Sequence, residues 1–288
     1  MRQCHVIEIV TPKKFILRGL WFGPQKSKRT IVFVHGLRGS AFSMLSIAEK
    51  LADRGTAVLT FSNRGNGIVN QVSSTKKGGK SLVAGSAHEV FTDCVDDIQG
   101  AINFAKKQGA KNVYLAGHST GCQKSIYWAS KYGKGVRGII LLAPVSDYAG
   151  AIKNHGKKKV AKATAYAREL VRRGKKHELV PLSVWPEELD DAQRLISLYS
   201  PDSVEEIFTY AQPDKTPRTL KSVKVPIFAL WAGKEQYADR KPGAIKAWFE
   251  EHLAGRDFKF VTIPNVKHGF KGGERYVAEA IRKWATVQ

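Results

Sequence analysis

The feature that most constrains the fold is a serine between two glycines in the motif Gly117-His118-Ser119-Thr120-Gly121. The apolar run 113–116 precedes the motif, and a helical pattern over 122–130 follows it. This order predicts a strand, a sharp turn and a helix. Such a turn is so tight that its flanking positions must be glycine, and it lifts the serine hydroxyl above the sheet edge. Ser119 is therefore the candidate nucleophile.

Short apolar runs alternate with helical patterns along most of the chain, which predicts an α/β fold with a mostly parallel sheet covered by helices on both faces. The predicted strands are 5–10, 15–22, 30–35, 57–61, 112–117, 137–143, 225–232 and 257–263. The first two strands are separated by only four residues, so they should form an antiparallel hairpin. The predicted helices are 43–54, 88–107, 120–132, 242–252 and 274–285.

The segment 147–222 breaks this alternation, because it contains several helical patterns and no convincing strand. We interpret it as a helical cap inserted into a core formed by residues 1–146 and 223–288. Within this segment, Ser203 and Glu206 have the spacing of a capping box, which favours a helix start there.

The 288 residues carry a formal net charge of +22, and 43% of them are hydrophobic. This composition is typical of a folded globular protein. A charge of this size attracts nucleic acid, anionic membrane surfaces or acidic substrates. Since Lys and Arg are spread along the chain, a basic and highly soluble surface explains the charge as well.

The three cysteines, Cys4, Cys94 and Cys122, are odd in number and widely spaced, which predicts neither a disulfide framework nor a zinc knuckle. No apolar run has the roughly 18 to 20 residues that cross a bilayer, and no signal-peptide pattern follows Met1. These features favour a soluble protein in a reducing cytoplasm.

The glycine-flanked Ser119, the His35-Gly36-Leu37 segment after a strand and His268 near the C-terminus resemble the α/β-hydrolase superfamily across almost the whole chain. The run 117–123, with Asn63-Arg64-Gly65 and Gly85-Ser86-Ala87, is similar to the fungal siderophore-type esterases. Dienelactone-hydrolase-like and feruloyl-esterase-like proteins share this layout. The resemblance implies an eight-stranded sheet, an acyl-enzyme on the serine, and neither a metal nor an organic cofactor.

The same resemblance implies roles for the residues around Ser119. The backbone N–H groups of Leu37 and Thr120 would form the oxyanion hole. The base follows the last strand in this fold, which points to His268. His35 precedes the nucleophile, so we interpret it as structural.

The fold also expects a carboxylate after strand 225–232, where Glu235 and Asp239 follow. We prefer Glu235, which occupies the place of Asp in the Gly-x-Asp-x-Tyr pattern of many relatives, and we keep Asp239 as the alternative. Arg64 and His118 are weaker candidates for substrate contacts. For Arg64 a role in stabilising its loop competes with this interpretation, and for His118 a local packing or bridging role does.

The start of the predicted cap, 153–176, is rich in Lys and Arg and contains one acidic residue, Glu169. Its apolar residues fall at helical spacing, which predicts an amphipathic helix with a cationic face. That face is either simply solvated, or recruits an anionic substrate, or contacts a membrane surface. Apolar residues later in the segment line an acyl pocket or form the core of the cap: Trp185, Leu195, Ile196, Leu198, Phe208 and Tyr210.

Three functional hypotheses follow. The first is a serine carboxylesterase, with lactones included because ring opening uses the same nucleophile. The second is an amidase or peptidase of the same fold. The third is a catalytically silent protein that binds a polyanion, although the chain contains no recognisable nucleic-acid motif.

Overall fold

The computed structural model describes residues 3–288. Its strands in chain order are β1 Cys4–Val10, β2 Ile16–Phe22, β3 Arg29–Val34, β4 Thr56–Phe61, β5 Asn70–Val72, β6 Leu82–Ala84, β7 Asn112–His118, β8 Gly138–Leu142, β9 Ile227–Ala232 and β10 Phe258–Ile263. Its α-helices are α1 Leu45–Leu51, α2 Cys94–Lys107, α3 Thr120–Tyr132, α4 Asp147–His155, α5 Lys157–Arg172, α6 Ala192–Tyr199, α7 Arg218–Ser222, α8 Pro242–His252 and α9 Glu274–Val287.

Within residues 3–288, eight of the strands form one sheet in the order β1-β2-β4-β3-β7-β8-β9-β10. β1 and β2 form the predicted antiparallel hairpin, and β2 also pairs antiparallel with β4. The strands from β4 to β10 in this order are mutually parallel. The mostly parallel eight-stranded sheet is therefore confirmed, with strand ends within two residues of the predicted ones.

Helices cover both faces of this sheet, because its central strands bury alternate side chains on opposite sides. In β3, Val32 and Val34 join a core cluster that includes residues of α2, α3 and α8. Ile31 and Phe33 face the other way and join residues of α1 and α9. The apolar core therefore lies on both faces of the sheet, on either side of the strands that lead to the candidate site.

Two local predictions were wrong. Helix α2 begins at Cys94 rather than at residue 88, after two short 3-10 turns. Residues 203–206 form turns instead of a helix start, because their side chains have other partners. Glu206, the predicted capping partner of Ser203, instead accepts from the Ser146 hydroxyl, and the Ser203 hydroxyl donates to the Ser197 carbonyl. The sequence analysis also missed the short hairpin β5–β6.

The segment 147–222 contains helices α4 to α7 and has a hydrophobic cluster of its own. That cluster includes Trp185, Leu195 and Leu198, and Leu37 of the core packs against it. Side-chain caps begin two of these helices: Ser146 accepts from the Ala149 N–H at α4, and Asp191 accepts from the Arg194 N–H at α6. The division into core and cap stays a prediction.

Candidate active site

Ser119 lies in the turn between β7 and α3, with φ 55° and ψ −127°. A non-glycine residue in this region is strained by about 1–3 kcal/mol. The turn requires glycine at both flanking positions, because a side chain there would collide with the backbone. A Cβ on Gly117 would lie 2.2 Å from the Gly121 carbonyl oxygen, and one on Gly121 would lie 2.3 Å from the Val34 carbonyl oxygen.

His268 and Glu235 meet beside this turn, although each follows a different strand. Nδ1 of His268, in the loop after β10, lies 2.8 Å from Oε2 of Glu235, which follows β9. The Glu235 side chain is only 1% exposed, so the hydrogen bond is shielded from water. Since a carboxylate only accepts, Nδ1 carries the proton and Nε2 is the basic nitrogen.

Asp239, the alternative acid, does not meet His268. Its two carboxylate oxygens bind the Arg240 guanidinium at 2.9 and 2.7 Å. β9 and β10 are parallel and end at the same sheet edge, so the loops that follow them lie side by side. Of the two carboxylates, Glu235 is thus the one whose side chain reaches the imidazole.

A cavity of about 320 Å³ brings the candidate residues together. Ser119, His268, His118 and Leu37 line its core side. The opposite wall belongs to the segment 147–222, with Asp147, Asn154, Glu187, Glu188 and Tyr199 among its residues. The site therefore lies between the sheet edge and the segment 147–222.

Near Ser119, the backbone N–H groups of Leu37 and Thr120 have no hydrogen-bond acceptor within residues 3–288. Thr120 is the first residue of α3, and its N–H has no preceding helical carbonyl. Leu37 follows Gly36, where an added Cβ would lie 2.8 Å from Ser119 Cβ. Among residues 3–288, no hydrogen bond from either N–H to another residue is formed. Both donors are available to a bound molecule.

His118 lies on the cavity wall beside His268. Its Nε2–H donates to the His268 carbonyl at 3.0 Å, and the two ring centroids are 4.8 Å apart. Burial, and then the neighbouring His268, lowers the pKa of His118 to about 3. The ring is thus neutral near pH 7 and bridges locally while one side faces the cavity.

Arg64 is not brought to this cavity. Its buried guanidinium binds Asp97 at 2.7 Å and Asp96 at 3.0 Å, both on α2. The Arg64 backbone N–H also donates to Asp97. Arg64 therefore anchors its own loop to α2. This position does not support a substrate contact at Ser119.

His35, interpreted as structural, uses both ring nitrogens within the fold. Its Nε2 accepts from the Asn63 N–H at 3.1 Å, so Nδ1 donates to the Gly36 carbonyl at 2.8 Å. Burial, and then Lys124, lowers the pKa of His35 to about 4.

The sequence analysis missed several cavity residues, notably Tyr237 and the ion pair Arg38–Glu188. The Tyr237 ring meets the His268 ring edge to face at 4.8 Å. Only its closeness to Glu235 in the sequence could have indicated this position. Of the two roles expected for Trp185, Leu195, Leu198, Phe208 and Tyr210, the structure shows core packing, because all five lie in hydrophobic clusters and outside the cavity lining.

The structure has an α/β-hydrolase fold. Three features define it: the order of the strands, the strand, turn and helix at Ser119, and the serine, carboxylate and histidine at one sheet edge. The sequence matches the serine aminopeptidase S33 family over residues 25–274. The chain therefore belongs to this family of hydrolases. No curated protein matches the sequence.

Three solved structures illustrate the likeness. The siderophore hydrolase EstB from Aspergillus fumigatus is 17% identical over 100% of this chain and 98% of its own, with a TM-score of 0.67. Est1E from Butyrivibrio proteoclasticus, solved with ferulic acid, is 17% identical over 98% of both chains, with a TM-score of 0.63. The Pyrococcus furiosus esterase Pf2001 is 17% identical over 99% of this chain and 91% of its own, with a TM-score of 0.62. At these identities the likeness shows the fold.

None of the helices in residues 3–288 is long and apolar enough to cross a membrane.

Proposed function

We propose that the protein is a serine hydrolase that cleaves a small carboxylic ester, lactones included, through an acyl-enzyme on Ser119. The observation that carries this proposal is the 2.8 Å contact between His268 Nδ1 and the shielded Glu235, in the cavity lined by Ser119. The esterases among the structures of this fold are consistent with it.

In the proposed reaction, His268 Nε2 takes the Ser119 hydroxyl proton as Oγ attacks the substrate carbonyl carbon. Glu235 holds the imidazole in the required tautomer and stabilises the imidazolium that forms. The N–H groups of Leu37 and Thr120 stabilise the oxyanion of the tetrahedral intermediate. The imidazolium then protonates the leaving alkoxide, and a water activated by His268 hydrolyses the acyl-enzyme. None of these steps requires a metal ion or a cofactor.

The size and lining of the cavity support a small substrate. A volume of about 320 Å³ is at the low end for small-molecule sites. Among residues 3–288, no basic side chain of α5 lines the cavity, whose charged residues are Arg38, Asp147, Glu187 and Glu188. This lining gives no support to recruitment of an anionic substrate by the basic helix.

A fluorophosphonate probe tests the nucleophile directly, because it reacts with activated serines. We expect one adduct, located at Ser119 by peptide mass spectrometry, together with turnover of short-chain nitrophenyl esters. The Ser119→Ala variant should lose both, and Ser130→Ala on the same helix should keep both. A folded wild-type protein that takes up no probe and cleaves no ester would refute the proposal and favour the polyanion-binding alternative.

A second candidate function is hydrolysis of the amide bond next to a free amino group. Membership of the serine aminopeptidase family and the carboxylates on the cavity wall favour it. Glu188 is paired with Arg38, and Asp147 accepts from Gln123 at 2.8 Å. Glu187 meets His155 only through Oε1, which leaves its Oε2 as the candidate partner for an ammonium group. Aminoacyl nitroanilides distinguish the two functions: cleavage that exceeds ester cleavage, and that is lost in Glu187→Gln, would favour the aminopeptidase.

A further inference from the structure

A second group of reactive side chains lies outside the candidate active site, where the inserted segment meets the core. His88 precedes α2, His177 follows α5, and Asp191 caps α6. Nδ1 of His88 lies 3.0 Å from Asp191 Oδ2, and Nδ1 of His177 lies 2.9 Å from the same oxygen. The three atoms all lie within 4.8 Å of one another.

We propose that His88, His177 and Asp191 bind a divalent transition metal ion, with Zn²⁺ as the best match. Two imidazole nitrogens and one carboxylate oxygen are a usual protein ligand set for this ion. Zinc bonds of about 2.1 Å hold tetrahedral ligand atoms about 3.4 Å apart. Small rotations of the three side chains are enough to reach that spacing.

Backbone hydrogen bonds hold the three ligands in place. The Asp191 N–H donates to the Ala87 carbonyl at 2.8 Å, directly beside His88. On either side of His177, Lys176 and Glu178 accept from the Gln193 and Ala192 N–H groups at 3.0 and 2.9 Å. The backbone that carries the three side chains is thus fixed by the fold before any ion binds, which lowers the entropy cost of binding.

The other oxygen of Asp191 supports its orientation as a ligand. Asp191 is fully buried, and its Oδ1 accepts the Arg194 N–H at 2.8 Å. Oδ2 is thereby turned toward both imidazoles. This is the arrangement of a ligating carboxylate that is held by an outer hydrogen bond.

The surroundings leave room for a further ligand. His88 and His177 line a second cavity of about 410 Å³, separate from the Ser119 cavity. The His177 side chain is 53% exposed, so water reaches this side of the cluster. A zinc ion with three protein ligands and one water would fasten the inserted segment to the core at this point.

Isothermal titration of untagged, chelator-treated protein with ZnCl₂ tests the site. We expect one ion per chain, with an affinity that falls at least about 100-fold in His177→Ala, since even outer-shell changes cost 10- to 100-fold. His88→Ala should behave alike. His252→Ala is the matched control. His252 also lies beside an acidic residue, Glu251, but it is remote in sequence from His88, His177 and Asp191.

Thermal unfolding provides a second readout that does not depend on hydrolysis. ZnCl₂ should raise the Tm of the wild type and of His252→Ala, and leave that of His177→Ala unchanged, because an ion that binds only the folded state stabilises it. Circular dichroism checks that His177→Ala remains folded. Absence of one-to-one binding, or binding to His177→Ala and His88→Ala as tight as binding to the wild type, would overturn the proposal.

Discussion

At the scale of single residues, three side chains far apart in the sequence share one sheet edge. Ser119 follows β7, Glu235 follows β9 and His268 follows β10, and these strands are parallel with β8 between β7 and β9. Because parallel strands deliver their carboxyl ends to the same edge, the loops that follow them converge. The strained backbone of Ser119 keeps its hydroxyl above the sheet, where the other two side chains meet.

The identity of the acid leads to a paired prediction. Glu235→Gln should lower kcat by about 10³- to 10⁴-fold, because an amide disfavours the required imidazole tautomer and cannot stabilise the imidazolium. Asp239→Asn should change kcat by less than about threefold, since Asp239 binds Arg240. Steady-state ester hydrolysis measures both variants. The opposite ranking would transfer the acid role to Asp239.

At the scale of elements, the helix that begins after Ser119 carries a buried charge into the core. Lys124 of α3 is fully buried and lies 2.5 Å from Glu89. The second Glu89 oxygen binds Arg194 of α6 at 3.0 Å, and Arg194 binds Glu205 at 2.6 Å. Burial alone would raise the pKa of Glu89, but Lys124 and Arg194 hold it below its usual value. This network links α3 to the inserted segment.

Removing the cation should therefore be costly. Lys124→Met should lower the free energy of unfolding by about 3 kcal/mol, because Glu89 loses one of its two buried partners. Lys246→Ala breaks an exposed pair with Glu250 and should change stability by less than about 1 kcal/mol. Urea unfolding measures both. Equal midpoints for Lys124→Met and the wild type would show that the network contributes nothing to stability.

At the scale of the whole molecule, the net charge of +22 lies mainly on the surface, because many acidic side chains are buried in the interior. The buried acidic residues are Glu89, Asp96, Asp97, Asp190, Asp191, Glu205 and Glu206. Among residues 3–288, the buried basic residues are fewer: Arg64, Lys124 and Arg194. The exposed surface is thus even more basic than the composition implies. The buried carboxyl groups also make stability depend on pH.

Glu206 illustrates the sign of this dependence. Burial raises its pKa to about 8, although the Ser146 hydroxyl donates to both carboxyl oxygens. Between the ordinary glutamate pKa of about 4.5 and about 8, the folded protein holds a proton that the unfolded chain has lost. Stability from this group is therefore present at low pH and is lost as the pH rises, by up to about 1.4 kcal/mol per pH unit.

Replacement by an amide should remove this contribution. Glu206→Gln resembles the protonated acid, so its free energy of unfolding should fall less between pH 5 and pH 8 than that of the wild type. Urea unfolding across this range measures the difference. Glu250→Gln, on the exposed face of α8, should retain the wild-type slope. An unchanged slope in Glu206→Gln would mean that Glu206 is ionised in the folded protein.

Local patterns determined most of the fold. Short apolar runs and glycine spacing predicted the eight strands, the hairpin and the turn at Ser119, because these features depend on neighbouring residues. The sequence also singled out His268, and the resemblance to the Gly-x-Asp-x-Tyr pattern of relatives ranked Glu235 above Asp239. The helix boundaries at 88 and 203 were wrong where a side chain finds a distant partner, as Glu206 finds Ser146.

Only the tertiary structure decided what depends on distance across the fold. It brought Glu235 to His268 and left Asp239 to Arg240, a choice between two carboxylates that follow one strand. It placed Arg64 among aspartates. It also decided between the two roles expected for Trp185, Leu195 and Leu198, acyl pocket or core, in favour of core packing. It also assembled His88, His177 and Asp191 from separate segments. Such contacts arise from the packing of elements remote in sequence, which no local pattern encodes.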